Sequence, residues 1–259
     1  MEQANANLPV TYRNKVPEVT LIFWIIKMMS TTVGETAADF LNVNLHWGLT
    51  NTSLFIGALF FIALFIQVKP PKYVPVKYWT TVLLISVFGT LVTDNLTDHF
   101  GVPLILSTGV FTFLLVGFFA IWYRKERTLS IHSINTQRRE LFYWTAILLT
   151  FSLGTAGGDW VSETLQLGYF NATILFGFLI TFCLIAYSFF KCNSVICFWI
   201  AYILTRPLGA SLGDFLSQPV TSGGMNIGST TINLCFLTVI LVLVTYLHLA
   251  KKPASNDEI

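Results

Sequence analysis

WIIKMMSTTVGETAAD, residues 24–39, returns three more times along the chain: as WTTVLLISVFGTLVTD at 79–94, WTAILLTFSLGTAGGD at 144–159 and WIAYILTRPLGASLGD at 199–214. Each copy opens on Trp, carries Gly ten residues later and ends on Asp five residues after that, the pattern W-x9-G-x4-D. Successive copies are offset by 55, 65 and 55 residues, the longer middle offset holding the basic stretch RKERTLSIHSINTQRRE. A repeat with this period has to be recognised before any other element is placed, because it sets the architecture. Four units in two halves follow.

The surroundings of the repeats say what solvent they meet. Of 259 residues, 54% are hydrophobic and 11% charged, with a mean hydropathy of +0.67. Soluble domains carry about 25% charged residues. This excludes an ordinary soluble protein, and neither the net charge of +2 nor its distribution supports nucleic-acid binding. A helix needs about 20 apolar residues to cross about 30 Å of hydrocarbon. Eight stretches meet this, at 19–40, 51–68, 78–97, 103–123, 142–162, 170–190, 195–216 and 229–249, and no alternating β-barrel pattern accompanies them. The expected fold is all-α and polytopic, with eight transmembrane helices built as four two-helix repeats. Each repeat crosses twice, so all four run in the same direction, unlike the inverted repeats of many transporters.

Orientation follows from Lys and Arg, which accumulate in cytoplasmic connections. Arg13 and Lys15 precede helix 1; Lys69, Lys72 and Lys77 join helices 2 and 3; Arg124, Lys125, Arg127, Arg138 and Arg139 join 4 and 5; Lys191 joins 6 and 7; Lys251 and Lys252 follow helix 8. The opposite connections hold none. Both termini are expected to be cytoplasmic. The organisation read from this is an N-terminal segment 1–18, a first membrane half 19–123, a basic cytoplasmic loop 124–141, a second half 142–250 and a tail 251–259. The first apolar stretch is long and lacks a small-residue cleavage site, so it is expected to stay as a helix rather than leave as a signal peptide. Cys183, Cys192, Cys197 and Cys235 show no CxxC spacing and read as packing residues.

Within each repeat, the Trp reads as an interface anchor and the Gly as a point of close helix packing, with a local helix break as the alternative. Fifteen residues of helix rise about 22 Å, so a Trp at the inner interface leaves each Asp roughly 8 Å short of the outer one. Acids at that depth are costly unless they face a polar cavity or a partner. The alternative is that the helices end early and the acids are solvated. Residues four apart share a helix face, which groups Glu35 with Asp39, Asp94 with Asp98 and Asp159 with Glu163. In the fourth repeat Gln218 stands where Asp98 and Glu163 stand in theirs. Glu35, Asp39, Asp94, Asp98, Asp159, Glu163 and Asp214 therefore form the candidate metal site. So many acids stay close only with cations or protons between them. Hard oxygen ligands suit Mn²⁺, Mg²⁺ or Ca²⁺, Thr31, Thr32, Thr93, Thr97, Thr155 and Ser211 offer further oxygens, and His46 and His99 read as outer-loop residues.

Lys27 and Arg206 are the basic residues inside the expected helices. They are candidates for gating or charge compensation. Lys27, three residues after Trp24, is expected to snorkel to the inner interface; Arg206 either snorkels or pairs with an acid of another repeat. Pro207, Gly209 and Gly213 predict a kinked or broken seventh helix.

The stretches KVPEVTLIFWIIKMMSTTVGETAADFLNVN, ISVFGTLVTDNLTDHFGVP, KERTLSIHSI, GTAGGDW and FWIAYILTRPLGASLGDFLSQP together resemble a bacterial family of uncharacterised integral membrane proteins, usually labelled "membrane-anchored". The resemblance covers nearly the whole chain. It implies a bacterial inner-membrane location and a multi-spanning fold, and it carries no activity.

The function expected from the residues is transport of cations, foremost a divalent metal such as Mn²⁺ or Mg²⁺, through the intramembrane carboxylates. No GxxxxGK[ST] motif is present, so transport is expected to be passive or coupled to protons or another ion. The first alternative is a cation-selective channel with a ring of aspartates. The second is a membrane sensor or structural subunit, with the basic loop and its His132 meeting a partner or anionic lipid. An enzyme is not expected: HExxH, GxSxG and CxxCH are all missing. The lipid bilayer, the inorganic cation and protons are the expected partners, no organic cofactor is implied, and both a monomer and an oligomer fit the repeat.

Overall fold

The computed structural model describes residues 14–250. These form eight long α-helices: α1 (Leu21–Asp39), α2 (Gly48–Val68), α3 (Pro75–Asp94), α4 (Leu104–Glu126), α5 (Gln137–Asp159), α6 (Tyr169–Phe190), α7 (Ser194–Ser217) and α8 (Ser229–Ala250). Local chemistry sets their starts. The side chains of Thr20, Thr136 and Asn193 accept from the N–H groups of Phe23, Arg139 and Val195, and Pro75 opens α3 where no intrahelical donor is needed. Arg13, Lys251 and Lys252, counted above for orientation, lie outside the described residues, as do most of segment 1–18 and the tail.

Seven of the helices, α2 to α8, are long and apolar enough to cross a membrane. α1 falls short on composition, because Lys27, Ser30, Thr31, Thr32, Glu35 and Thr36 depress its hydropathy. All six are buried inside the bundle.

The first helices of the repeats form a closed ring: α1 packs on α3, α3 on α5, α5 on α7, and α7 back on α1. The second helices lie outside it, α2 packing on α3, α4 on α5, α6 on α7 and α8 on α1. Each repeat thus sends its second helix onto the first helix of the next repeat, and α8 closes the circle. Outward faces of this peripheral layer are apolar and exposed, as at Phe61, Phe65, Phe113, Val116, Phe178, Phe182, Leu241 and Val242.

The repeat glycines explain how the central helices come so close. A Cβ on Gly34 would overlap the Ser86 hydroxyl, one on Gly89 the Phe151 Cβ, one on Gly154 the Arg206 side-chain stem and one on Gly209 the Thr31 hydroxyl. In every case the residue met stands three positions before the glycine of the next repeat. Small residues let helix backbones approach, and the approach brings hydroxyls to carbonyls: Ser152 Oγ donates to Gly89 O (3.3 Å), and Thr31 Oγ1 to Thr205 O (3.2 Å). Close packing is the role of these glycines; the helices run through them unbroken.

α7 is continuous from Ser194 to Ser217 with Pro207 inside it, so it is not broken at the proline. Gly158 and Gly154 on α5 leave room for the proline ring, since a Cβ on Gly158 would lie 3.3 Å from Pro207 Cα. Of the repeat tryptophans, Trp79, Trp144 and Trp199 are buried and Trp24 is half-buried. The residue before each Trp packs on the Trp of the next repeat, Phe23 on Trp79 (5.5 Å between centroids), Tyr78 on Trp144 (5.4 Å), Tyr143 on Trp199 (6.3 Å) and Phe198 on Trp24 (5.9 Å). Four aromatic pairs shut one end of the ring, here the Trp end.

At the other end, each of Asp39, Asp94 and Asp159 is the last residue of its α-helix, and a five-residue π-turn follows at Phe40–Asn44, Asn95–His99 and Trp160–Thr164. The N–H groups of Leu45, Phe100 and Leu165 close onto the carbonyls of Phe40, Asn95 and Trp160 at 2.9, 3.0 and 2.9 Å. The next residue then turns left-handed, at His46, Gly101 and Gln166. The fourth repeat makes the same closure from Met225 to Phe215 (2.7 Å), with Asn226 left-handed and a short 3₁₀ turn, Val220–Ser222, inserted before it.

Candidate functional site

The axis of the central ring carries polar groups from end to end. At the Asp end, Asp39, Asp94, Asp159 and Asp214 come from four parallel helices, and each stands within electrostatic reach of the next around the ring. Asp214 is buried and the other three are half-buried. No hydrogen bond or ion pair ties these four carboxylates to another of the described side chains.

One level deeper sits Arg206, fully buried. Its Nη2 donates to Glu35 Oε2 at 2.7 Å, to Thr155 Oγ1 at 2.8 Å and to Thr90 Oγ1, and its Nη1 donates to Thr31 O at 2.8 Å. Glu35, Thr90 and Thr155 occupy the same repeat position, one residue after the glycine. Arg206 itself stands three before the glycine of the fourth repeat and reaches across the axis to the other three. A guanidinium is thereby seated in a cage of oxygens drawn from α1, α3 and α5. Of the two fates foreseen for Arg206, the pair with an acid of another repeat is the one found.

Lys27 lies next to it and does not snorkel. Its side chain is buried, with Nζ 4.2 Å from the Phe151 ring centroid and 4.3 Å from that of Tyr202. These two aromatic faces take the place of the water that a snorkelling ammonium would reach. No hydrogen-bond acceptor meets Nζ among the described residues.

Asp98 and Glu163 lie inside π-turns, which do not keep the spacing of an α-helix, and both are exposed, while Asp98 stays within electrostatic reach of Asp94 and Glu163 of Asp159. Asp98 accepts from Thr97 Oγ1 (2.9 Å) and Glu163 from Tyr169 Oη (3.2 Å). Asp98 and His99 instead line an open groove of about 570 Å³ together with Asn42, Trp47 and Asn51. Gln218 follows the end of α7 in extended backbone. The seven acids named from the sequence are thus spread over three settings: the ring of four, Glu35 on Arg206, and Asp98 with Glu163 at the rim. No three His, Cys, Asp or Glu side chains among the described residues converge on one metal-sized point.

Sequence reasoning missed the polar group at the Trp end. Glu140, buried on α5, accepts from Lys15 Nζ (2.5 Å) and Gln67 Nε2 (3.1 Å), while Lys15 also donates to Val68 O (2.7 Å). Beside it, the Tyr78 and Tyr143 hydroxyls share a hydrogen bond of 2.5 Å. Loop 124–141 folds over this end, burying Ile131 and Ile134 and offering Leu129 O to Trp199 Nε1 (3.0 Å). Glu126 holds Arg138 and Arg139 at 3.0 and 2.8 Å. Counting Lys15 only as an orientation marker hid its partner. Thr90, by contrast, was legible, since the repeat aligns it with Glu35.

No curated protein and no solved structure matches this chain. A family model does, four times, at residues 22–73, 77–128, 142–192 and 197–253, each match taking in one first helix and one second helix. These matches span most of the sequence, and the chain belongs to the family of the repeat of unknown function DUF347.

Proposed function

We propose that this protein is an integral membrane transporter of cations, with divalent metals such as Mn²⁺ and Mg²⁺ as its preferred cargo. The observation that carries the reading is the ring of Asp39, Asp94, Asp159 and Asp214 above the oxygen cage that holds Arg206. Four carboxylates in one another's field favour a cation entering among them. The cage of Glu35 Oε2, Thr31 O, Thr90 Oγ1 and Thr155 Oγ1 is hard-oxygen chemistry, the kind that suits these metals. Arg206 acts as a tethered cation in it, filling the seat until cargo arrives and swinging aside as the gate. Asp98 and Glu163 at the rim draw cations in, and Lys27 balances charge below the cage.

In this reading all eight helices span the membrane. α1 is included because it stands in the ring beside α3, α5 and α7 and turns its polar residues inward. The excess of Lys and Arg in the connections at the Trp end puts that end and both termini in the cytoplasm, in the inner membrane of a bacterium. The Asp end then faces outward, and the aromatic pairs with loop 124–141 form the closed cytoplasmic side. No covalent bond is made or broken, so the protein is not an enzyme. One chain completes the ring, and a second copy is not required.

The four-fold ring also suits a cation-selective channel. Against this stand Arg206, Lys27 and the four aromatic pairs, which block the axis at three levels, as an alternating-access carrier requires.

The test is metal flux into proteoliposomes, screening Mn²⁺, Mg²⁺, Ca²⁺, Zn²⁺ and Na⁺. Saturable flux is expected for the cargo, reduced at least tenfold in Asp94→Asn and in Asp159→Asn. Non-saturating flux carrying single-channel currents would favour the channel. Flux unchanged in both variants would remove the carboxylate ring from the pathway.

A further inference from the structure

The closed end of the ring is held by a stretch of chain that lies outside the repeats. Residues 14–20 precede α1, and Lys15, Val16 and Pro17 among them are buried. Asn14 braces the backbone around Lys15, its Oδ1 accepting from the Val16 N–H at 3.4 Å and its Nδ2 donating to Val16 O at 3.1 Å. The Lys15 N–H donates to Ile134 O at 3.0 Å, which ties the segment to loop 124–141, and Val16 joins Ile131 and Ile134 in the apolar core. The Lys15 ammonium reaches two further elements, Glu140 on α5 and the Val68 carbonyl at the end of α2.

Glu140 stands four residues before Trp144, and Thr20, Pro75 and Val195 hold that place in the other repeats. The four-fold architecture therefore does not call for an acid there. What this acid adds is a connection to the aromatic pairs. Trp144 Nε1 donates to Glu140 Oε1 at 3.4 Å, and the Trp144 ring is the one that packs on Tyr78. Through the loop, Leu129 O accepts from Trp199 Nε1, and the Trp199 ring is the one that packs on Tyr143. One lysine thus links a segment outside the ring to two of the four pairs that shut it.

We propose that residues 14–20 are a strap that latches the closed end, and that separation of Lys15 from Glu140 is the step that lets the aromatic pairs part. The proposal rests on the transport reading in one respect: it takes the Trp end as a gate that opens rather than a permanent seal. A buried ion pair suits such a latch. Burial costs both charges their hydration, and the contact does little more than offset that cost, so the seated and the hydrated pair lie close in free energy. Water entering as the strap lifts solvates both freed charges, whereas a wholly apolar plug would only lose by lifting.

The experiment measures opening directly and needs no metal. Val82 stands three residues after Trp79, deeper in the ring than the aromatic pairs, and is fully buried. The full chain, with its four cysteines replaced and Val82→Cys introduced, is placed in nanodiscs, and the rate of labelling by a water-soluble maleimide is followed. Labelling is expected to be slow in this parent and at least tenfold faster in Lys15→Met/Glu140→Leu, which strands neither charge. Glu140→Gln, which removes the charge and keeps the shape, is expected to raise the rate several-fold and gives a second reading should the double variant not fold. A cysteine introduced by Thr93→Cys, at a buried position near the Asp end, is expected to label no faster in either variant than in the parent. Rates at Val82→Cys equal to the parent's in folded variants would overturn the proposal, and so would an equal gain at Thr93→Cys, which would mean general loosening. Mn²⁺ flux through the same variants separates the two readings. Faster labelling with no ion moving keeps the latch and removes the cargo; saturable Mn²⁺ flux with unchanged labelling keeps the cargo and removes the latch.

Discussion

At the scale of single residues, Arg206 carries the largest consequences. It is buried, it spends its donors on three helices, and among the described residues it is the only cation paired with Glu35. Removing one partner of a buried ion pair costs about 3–5 kcal/mol, because the remaining charge stays desolvated. Arg206→Met should lower unfolding stability in detergent by that order, and Glu35→Gln added to it should recover a large part. Arg206→Lys should not rescue the parent behaviour, since an ammonium cannot reproduce a planar fork that reaches a carboxylate, a carbonyl and two hydroxyls. The same logic applies to Glu140: Lys15→Met should destabilise by a comparable amount, measured by the same denaturation, through loss of its contact at 2.5 Å. Recovery in Lys15→Met/Glu140→Leu would identify the stranded carboxylate as the cause.

At the scale of elements, glycine separates helix contacts from helix faces. Gly154→Ala and Gly209→Ala would push a Cβ into Arg206 and Thr31 across neighbouring central helices. Overpacking of this kind costs about 1–3 kcal/mol. Gly109→Ala and Gly117→Ala on α4 meet nothing within 4 Å. They should be neutral or gain up to about 1 kcal/mol from helix propensity. A thermal-unfolding series over the four variants checks this, and equal effects in both pairs would contradict the packing described. The π-turns after Asp39, Asp94 and Asp159 belong to this scale too. They end the regular helix where the acids gather, and so decide that Asp98 and Glu163 face outward.

At the scale of the whole molecule, the ring closes through α8 lying on α1, where Thr36 Oγ1 donates to Asn233 Oδ1 at 2.7 Å. In a background with Cys183, Cys192, Cys197 and Cys235 replaced, Thr36→Cys with Asn233→Cys should cross-link within one chain under mild oxidation. Thr36→Cys with Thr173→Cys on α6 should not, because α6 packs on α7. The reverse result would mean that repeats pack in line rather than in a circle. A closed ring also explains why a single arginine can touch three other repeats, which a linear array would forbid.

The sequence by itself determined the number of repeats, their common direction, the positions of the eight helices to within a few residues, and the recurring Gly at which the central helices approach. These are local or periodic properties: a run of apolar residues and a recurring Trp, Gly and Asp are written along the chain. Only the tertiary structure decided that second helices pack on the following repeat, that each repeat tryptophan packs on the aromatic residue standing before the tryptophan of the preceding repeat, that Arg206 takes Glu35 while Lys27 takes two aromatic rings, and that Glu140 has Lys15. The physical reason is that these pairings depend on which helix faces meet across 51 to 175 positions of sequence. Helical periodicity gives each residue a face, but the glycine-to-glycine approach around the ring chooses the neighbour that the face meets.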